Sequence, residues 1–134
     1  MLKKIGIILG VICLVVVIGF GILIYRLTNM ANRIEGTLDK TAVVSLAKVA
    51  DGTYAGSYGD FLNTVSLEVT VKKHKIVKIT ILDQKCGQGY GALDTVDRII
   101  KAQSSKVDAV TGASSSSRVI MIAVNKALKK GIRK

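Results

Sequence analysis

The chain has no proline and no tryptophan, and only two cysteines and one histidine occur among its 134 residues. Cys13 lies in an apolar run and Cys86 lies far along the chain, so an intrachain disulfide framework is excluded. With His74 as the sole histidine, the sequence offers no metal cluster, no His-paired nucleophile and no acid–base pair. We therefore predict neither catalytic residues nor metal ligands.

Acidic and aromatic residues are also scarce. The chain has 9 Asp and Glu against 20 Lys and Arg, which gives a net charge of +11. Such a balance suits an anionic lipid surface, an anionic cofactor or nucleic acid. Nucleic acid is disfavoured as a partner because the lysines are scattered and aromatic residues make up only 4% of the chain, too few for base stacking.

What the chain does have is a long apolar run at its start. From Ile5 to Tyr25 no residue is charged, and the run is about as long as a helix needs to cross the roughly 30 Å hydrocarbon core of a membrane. A cleaved signal peptide is the alternative, because Lys3 and Lys4 precede the run. The run is too long for a typical signal peptide and no small-x-small site follows it. We interpret residues 1–25 as a single-pass signal anchor.

Residues 26–48 are mixed in polarity and are interpreted as a juxtamembrane spacer, and residues 49–134 as the folded domain. The segment DGTYAGSYG predicts a first strand bounded by turns. In the run from Val65 to Val71 apolar and polar residues alternate with a period of two, which predicts a strand with one buried face.

A second strand is predicted from Lys75 to Asp83, with Val77, Ile79 and Ile81 on one face. The short KKHK connection indicates a hairpin, in which His74 is a turn residue with an unusual dihedral angle rather than a ligand. Helical spacing then predicts a short amphipathic helix over residues 93–102 and a second helix over about 116–130, whose serine-rich front supplies N-caps. The predicted fold class is α+β: a small antiparallel sheet packed with two helices, preceded by one transmembrane helix.

Two glycine-containing segments are candidates for ligand binding. KCGQGYG has glycines at alternate positions, where the backbone can approach a ligand closely or simply turn, and its spacing is not a dinucleotide fingerprint. The loop DAVTGASSSS comes directly before the last predicted helix. A helix N-terminus presents unpaired N–H groups and a partial positive charge, which favour a phosphate. A serine-rich turn that only caps the helix is the alternative from the residues alone.

The pieces LAKVADGTY, VSLEVTVKKHKIVKITIL, KCGQGYG and IIKAQSSKVDAVTGASSSSRVIMIAVNKAL occur in this order. Together they resemble the FMN-binding domain family, which includes the small flavoprotein subunits of sodium-translocating quinone reductase and of Rnf complexes. The resemblance covers roughly residues 45–131. Its most specific part is the motif D-x-x-[ST]-G-A-[ST]-x-[ST], on which a flavin transferase attaches FMN from FAD by a phosphoester bond.

The resemblance implies that Ser114 is the hydroxyl that receives the phosphate. It also implies that FMN is bound at Asp108, Thr111, Gly112, Ala113, Ser115 and Ser116, and at Gly89 and Tyr90 in the glycine-rich segment. Two departures stand out: the acceptor is serine where the best-known members have threonine, and the glycine-rich segment lacks their acidic residues and proline. In its glycine-rich segment the chain is similar to short anchored forms from Gram-positive anaerobes. Because the acceptor is serine, noncovalent FMN at the same loop is the alternative to covalent attachment.

By this resemblance the chain is expected to be an extracytoplasmic electron-transfer flavoprotein of the cell membrane, or a subunit of an oxidoreductase complex, rather than a stand-alone enzyme. Its expected partners are the lipid bilayer, a flavin transferase and a quinone or membrane redox partner. A flavin-binding accessory or sensory subunit without electron-transfer turnover is one alternative. A domain that has lost flavin and serves as an interaction module is another.

Overall fold

The computed structural model describes residues 1–60, 62–85 and 93–133. These form an α+β fold, as predicted, with a three-stranded antiparallel sheet of order β1-β2-β3. The chain divides into two compact units, Met1–Asn32 and Arg33–Lys134. The elements in chain order are α1 (Leu2–Lys40), a 3-10 turn (Leu46–Lys48), β1 (Gly52–Asp60), β2 (Asn63–Lys72), β3 (Lys75–Lys85), α2 (Asp94–Ala102) and α3 (Ser114–Lys130).

Among the described residues, α1 is the one helix long and apolar enough to cross a membrane by length and composition, with a mean hydropathy of 3.3 over its most apolar window. The helix continues past Tyr25 into the predicted spacer and ends at Lys40. Ile34 and Leu38, which lie one turn apart, are buried within the second unit. The last turns of α1 therefore contribute apolar side chains to the core of the C-terminal unit.

The alternation predicted for the central strand is confirmed. Val65, Leu67, Val69 and Val71 are all buried, whereas the polar residues between them are partly exposed. β1 and β3 flank this strand and pair with it in antiparallel fashion. The buried face of β2 thus defines the side of the sheet on which the core lies.

The face predicted for β3 was wrong at Val77. Its side chain is 48% exposed, and the neighbouring Ile76 is buried instead. The cause is a β-bulge: Thr70 pairs with Lys78 and Val71 with Ile76, so Val77 is an extra residue without a partner. An unpaired residue in a bulge shifts every side chain on one side of it to the other face of the sheet.

The hairpin between β2 and β3 is confirmed. Lys73 and His74 have φ values of 48° and 60°, and two consecutive positive φ values are those of the tight hairpin turn that matches strand twist. Asp51 holds the turn, since its Oδ1 accepts a hydrogen bond from the Lys73 N–H at 2.9 Å. This agrees with the interpretation of His74 as a turn residue.

Helix α3 is buried along most of its length and forms the centre of the domain. It approaches β1 so closely that a Cβ on Gly56 would lie 2.1 Å from the carbonyl oxygen of Ala123. Helix α2 contacts both β3 and α3. Behind α2, the side-chain amide of Gln103 exchanges two hydrogen bonds with the backbone of Ile76, at 2.8 and 2.9 Å. These contacts fix where the loop between α2 and α3 begins.

Candidate functional site

The loop DAVTGASSSS leads into α3, which begins at Ser114, two residues earlier than predicted. The expectation that serines cap this end was wrong. Ala113 is the N-cap residue, and no side chain of the described residues makes the capping bond. Ser114 is instead the first helical residue and is exposed. Its hydroxyl therefore stands at the solvent-facing start of the helix.

Ser117 fixes the shape of the loop. Its Oγ accepts a hydrogen bond from the Val110 N–H at 3.1 Å and donates one to the Ala113 carbonyl at 2.7 Å. The Ala113 N–H closes the turn on the Val110 carbonyl at 3.0 Å. Since Ser117 is fully buried, these bonds are shielded from water. Sequence reasoning missed this role, because nothing distinguishes the fourth serine of the run from the other three.

Asn63 links the start of α3 to the sheet. Its Oδ1 accepts a hydrogen bond of 3.0 Å from the Ser116 hydroxyl, and both side chains are buried. A hydrogen bond between two buried groups is costly to break, because the remaining group is left without a partner. Asn63 also went unnoticed in the sequence, where it stands 53 residues from its partner.

Arg98 of α2 holds the other end of the loop. One of its terminal nitrogens donates to the carbonyls of Asp108 and Ala109, at 3.1 and 3.3 Å. Beside these contacts is an open cleft of about 830 Å³, lined by Arg98, Lys101, Ala102, Lys106, Val107 and Asp108. The loop that carries Ser114 thus begins at the rim of a cationic cleft.

The residues predicted to bind FMN differ in exposure. Asp108, Thr111, Gly112 and Ser114 are exposed and Ser115 is partly exposed, while Ala113 and Ser116 are buried. Gly112 has φ 81°, a backbone conformation that is energetically unfavourable for residues other than glycine. The loop therefore presents an exposed hydroxyl group at Ser114, two residues after a glycine whose positive φ disfavours other residues. Two further predicted residues, Gly89 and Tyr90, lie outside the described residues.

The start of α3 fits a phosphate group. The N–H groups of Ser114, Ser115 and Ser116 have no carbonyl partner within the helix, as in the first turn of any α-helix. The first turn contains no acidic residue, so no carboxylate of this turn competes for the positive end of the helix dipole. The hydroxyl of Ser114 is a chemically suitable point for a phosphoester.

Two ion pairs join the last turns of α1 to this part of the domain. Arg33 binds both carboxylate oxygens of Asp60, at 2.7 and 2.8 Å, and Asp60 is the strand partner of Asn63. The hydrogen bond from Arg33 to Asp60, together with the attraction of that carboxylate, raises the pKa of Arg33. Glu35 pairs with Arg118 of α3 at 3.3 Å.

Within residues 1–60, 62–85 and 93–133, no group of three or more His, Cys, Asp and Glu side chains is placed to hold a metal ion. The chemistry available at the site is that of hydroxyl groups, backbone N–H groups and nearby cations. This set suits an anion that is esterified or hydrogen-bonded at the helix start.

Comparison with known proteins gives the family of the chain. The sequence profile of the FMN-binding domain matches residues 60–129, which include β2, β3, α2, the loop and nearly all of α3. The chain belongs to the FMN-binding domain family. An uncharacterized protein of Treponema pallidum (strain Nichols) is 33% identical over 107 residues. The aligned region is 78% of this chain and 30% of that protein, so the chain spans less than a third of its relative.

Proposed function

We propose that this protein carries FMN as a phosphoester on Ser114 and relays electrons between membrane redox partners. The domain would be tethered by α1 and would lie on the extracytoplasmic side of the membrane. The observation that carries the proposal is the exposed hydroxyl of Ser114 at the start of α3, in a chain of the FMN-binding domain family. The flavin's isoalloxazine ring supplies the redox chemistry when it is bound.

The attachment is a transfer of FMN from FAD, catalysed by a separate flavin transferase. The Oγ of Ser114 forms a bond to the phosphorus of the FMN half, and the phosphorus–oxygen bond to the AMP half breaks. AMP leaves, and the hydroxyl proton passes to a base of the transferase. No oxidant or reductant is consumed, so the step requires only an accessible hydroxyl group on this chain.

Three features of the chain support the attachment. The Ser114 hydroxyl is exposed, so a transferase can reach it. Gly112 at φ 81° lets the loop turn two residues before the acceptor. The N–H groups at the helix start stabilise the negative charge that the phosphate retains after esterification. Ser117 and Asn63 hold this geometry from the buried side.

The role in electron transfer is supported by the family and by the tether. The chain belongs to the FMN-binding domain family, and the flavin would be the redox group. A helix apolar enough to cross a membrane precedes the domain, and anchoring would keep the flavin within reach of a quinone or an integral redox partner. The protein would pass electrons without transforming a substrate of its own.

The test is to co-express the full chain with a flavin transferase and to run it on a denaturing gel. Wild type is expected to show flavin fluorescence and a mass increase of one FMN less water. Ser114→Ala should lose both, because it removes the acceptor oxygen, while Ser104→Ala, a serine outside the motif, should retain both. Reduction of the flavinylated protein by a quinol or a membrane donor then tests electron transfer.

Three outcomes count against parts of the proposal. A dark wild type from which denaturation releases no FMN would exclude flavin binding, whereas release of free FMN would show noncovalent binding. Fluorescence that survives in Ser114→Ala would move the attachment to another residue. A bound flavin that no quinol or cellular donor reduces would favour the accessory or sensory role.

A further inference from the structure

Arg118 lies four residues after Ser114 in the uninterrupted helix α3. Residues at this spacing share one face of a helix, with their Cβ atoms about 5–6 Å apart. Long side chains on a helix lean toward its N-terminus and cover the preceding turn. The guanidinium of Arg118 can therefore reach the position of a group attached to the Ser114 hydroxyl.

Arg118 is the first charged residue of α3. The start of α3 carries the positive end of the helix dipole, where a cation is unfavourable and an anion favourable. The first turn provides no acidic residue and, among the described side chains, no capping group. A negative charge near Ser114 would interact favourably both with the positive end of the helix dipole and with the guanidinium of Arg118.

The partner that Arg118 has in the structure holds it weakly. One nitrogen of Arg118 lies 3.3 Å from one oxygen of Glu35, whose side chain is 54% exposed. The neighbouring pair of Arg33 and Asp60 instead makes two contacts, at 2.7 and 2.8 Å. A single long contact with an exposed carboxylate adds little stability, so a phosphate can displace Glu35.

We propose that Arg118 binds the phosphodiester of FMN carried on Ser114 and gives up Glu35 in doing so. The inference rests on the proposed attachment at Ser114. Arginine suits this role because its planar guanidinium donates two parallel hydrogen bonds to phosphate oxygens. Esterification would then exchange one ion pair for another and would fasten the flavin to the second turn of α3.

The test compares unmodified and flavinylated forms of the full chain in detergent, with flavin occupancy measured by mass spectrometry. The measured quantities are the rise in the thermal unfolding midpoint on flavinylation and the fluorescence anisotropy of the flavin. Wild type should show a rise, Arg118→Gln should lose most of it, and Glu35→Gln should show a larger rise because the competing carboxylate is gone. Arg118→Lys should restore part of the rise.

Arg133→Gln is the matched control, since it removes an arginine beyond the end of α3, and it should behave as wild type. The anisotropy should fall in Arg118→Gln alone, as the flavin loses one point of attachment. Equal midpoint shifts in wild type and Arg118→Gln would overturn this inference and leave the attachment intact. An absence of covalent flavin on wild type would overturn the inference together with the proposed function.

Discussion

The first turn of α3, residues 114–117, and the apolar remainder, residues 119–128, are held in place by different interactions. The first turn depends on buried hydroxyl groups, whose partners lie in the loop and at the start of β2. The remainder depends mainly on close packing, with Ile120 fully buried and the helix backbone close to Gly56. Its one buried polar side chain among the described residues, Asn125, donates hydrogen bonds to the Ala42 carbonyl and to Ser105 Oγ. The same helix therefore contributes to the hydrophobic core of the domain and provides the candidate FMN attachment site at its start.

Because the two parts of α3 are held by different interactions, substitutions in them should have different effects on stability and on function. The stabilisation from apolar packing is roughly proportional to the buried apolar area, and it is largely kept when a substitution changes the shape of a side chain but not its volume. Hydrogen bonds of the first turn depend on direction, and each has a specific partner. Substitutions in the remainder should thus act on the free energy of unfolding, whereas those in the first turn should act on flavin attachment as well.

The largest effect on stability is expected where the apolar remainder meets the sheet. Gly56→Ala places a Cβ 2.1 Å from the Ala123 carbonyl and 2.9 Å from the Ala127 Cβ, so α3 or β1 must shift. Overpacking of this kind costs about 3 kcal/mol. Chemical denaturation of the unmodified protein measures it. Gly36→Ala, where nothing lies within 4 Å, is the control and should leave the stability unchanged or raise it. Equal stability of Gly56→Ala and wild type would show that this contact is not tight.

A smaller effect is expected at the link between the sheet and the first turn. Asn63→Ala leaves the buried Ser116 hydroxyl without its acceptor, which costs about 2 kcal/mol. Flavin occupancy should also fall, because the first turn loses its tie to the sheet. Denaturation and mass spectrometry measure the two effects.

The double variant Asn63→Ala with Ser116→Ala tests whether the two side chains act as a pair. Its loss of stability should be smaller than the sum of the two single losses, since no unpaired hydroxyl remains. Ser66→Ala, on the opposite face of β2, should change neither stability nor occupancy. If the loss of stability in the double variant equals the sum of the two single losses, the Asn63 and Ser116 side chains do not interact as proposed.

The smallest effect on stability is expected at Gly112. Because nothing lies within 4 Å of a Cβ built there, Gly112→Ala is penalised only by its φ of 81°, about 1 kcal/mol. Asparagine tolerates this conformation, so Gly112→Asn should lose less. Flavin occupancy, read by in-gel fluorescence, should follow the same order. A Gly112→Ala variant as stable as wild type would show that the loop relaxes to a negative φ.

Local patterns were sufficient for much of the fold. The alternation from Val65 to Val71 predicted β2, because a strand exposes successive side chains to opposite faces. The KKHK connection predicted the hairpin, and helical spacing predicted α2 and α3. The face of β3 could not be predicted, because a bulge is decided by how two strands pair, and pairing is not a property of either strand alone.

The sequence by itself determined the long apolar helix, the α+β order of elements and the hydroxyl-rich loop before α3. These follow from periodicity, from run length and from a contiguous motif, all of which are local. Only the tertiary structure decided that Ser117 and Asn63 shape that loop from its buried side and that Arg118 meets Glu35. Such contacts join residues from separate elements, and they exist only once α3 has packed on the sheet and the last turns of α1 have joined the core.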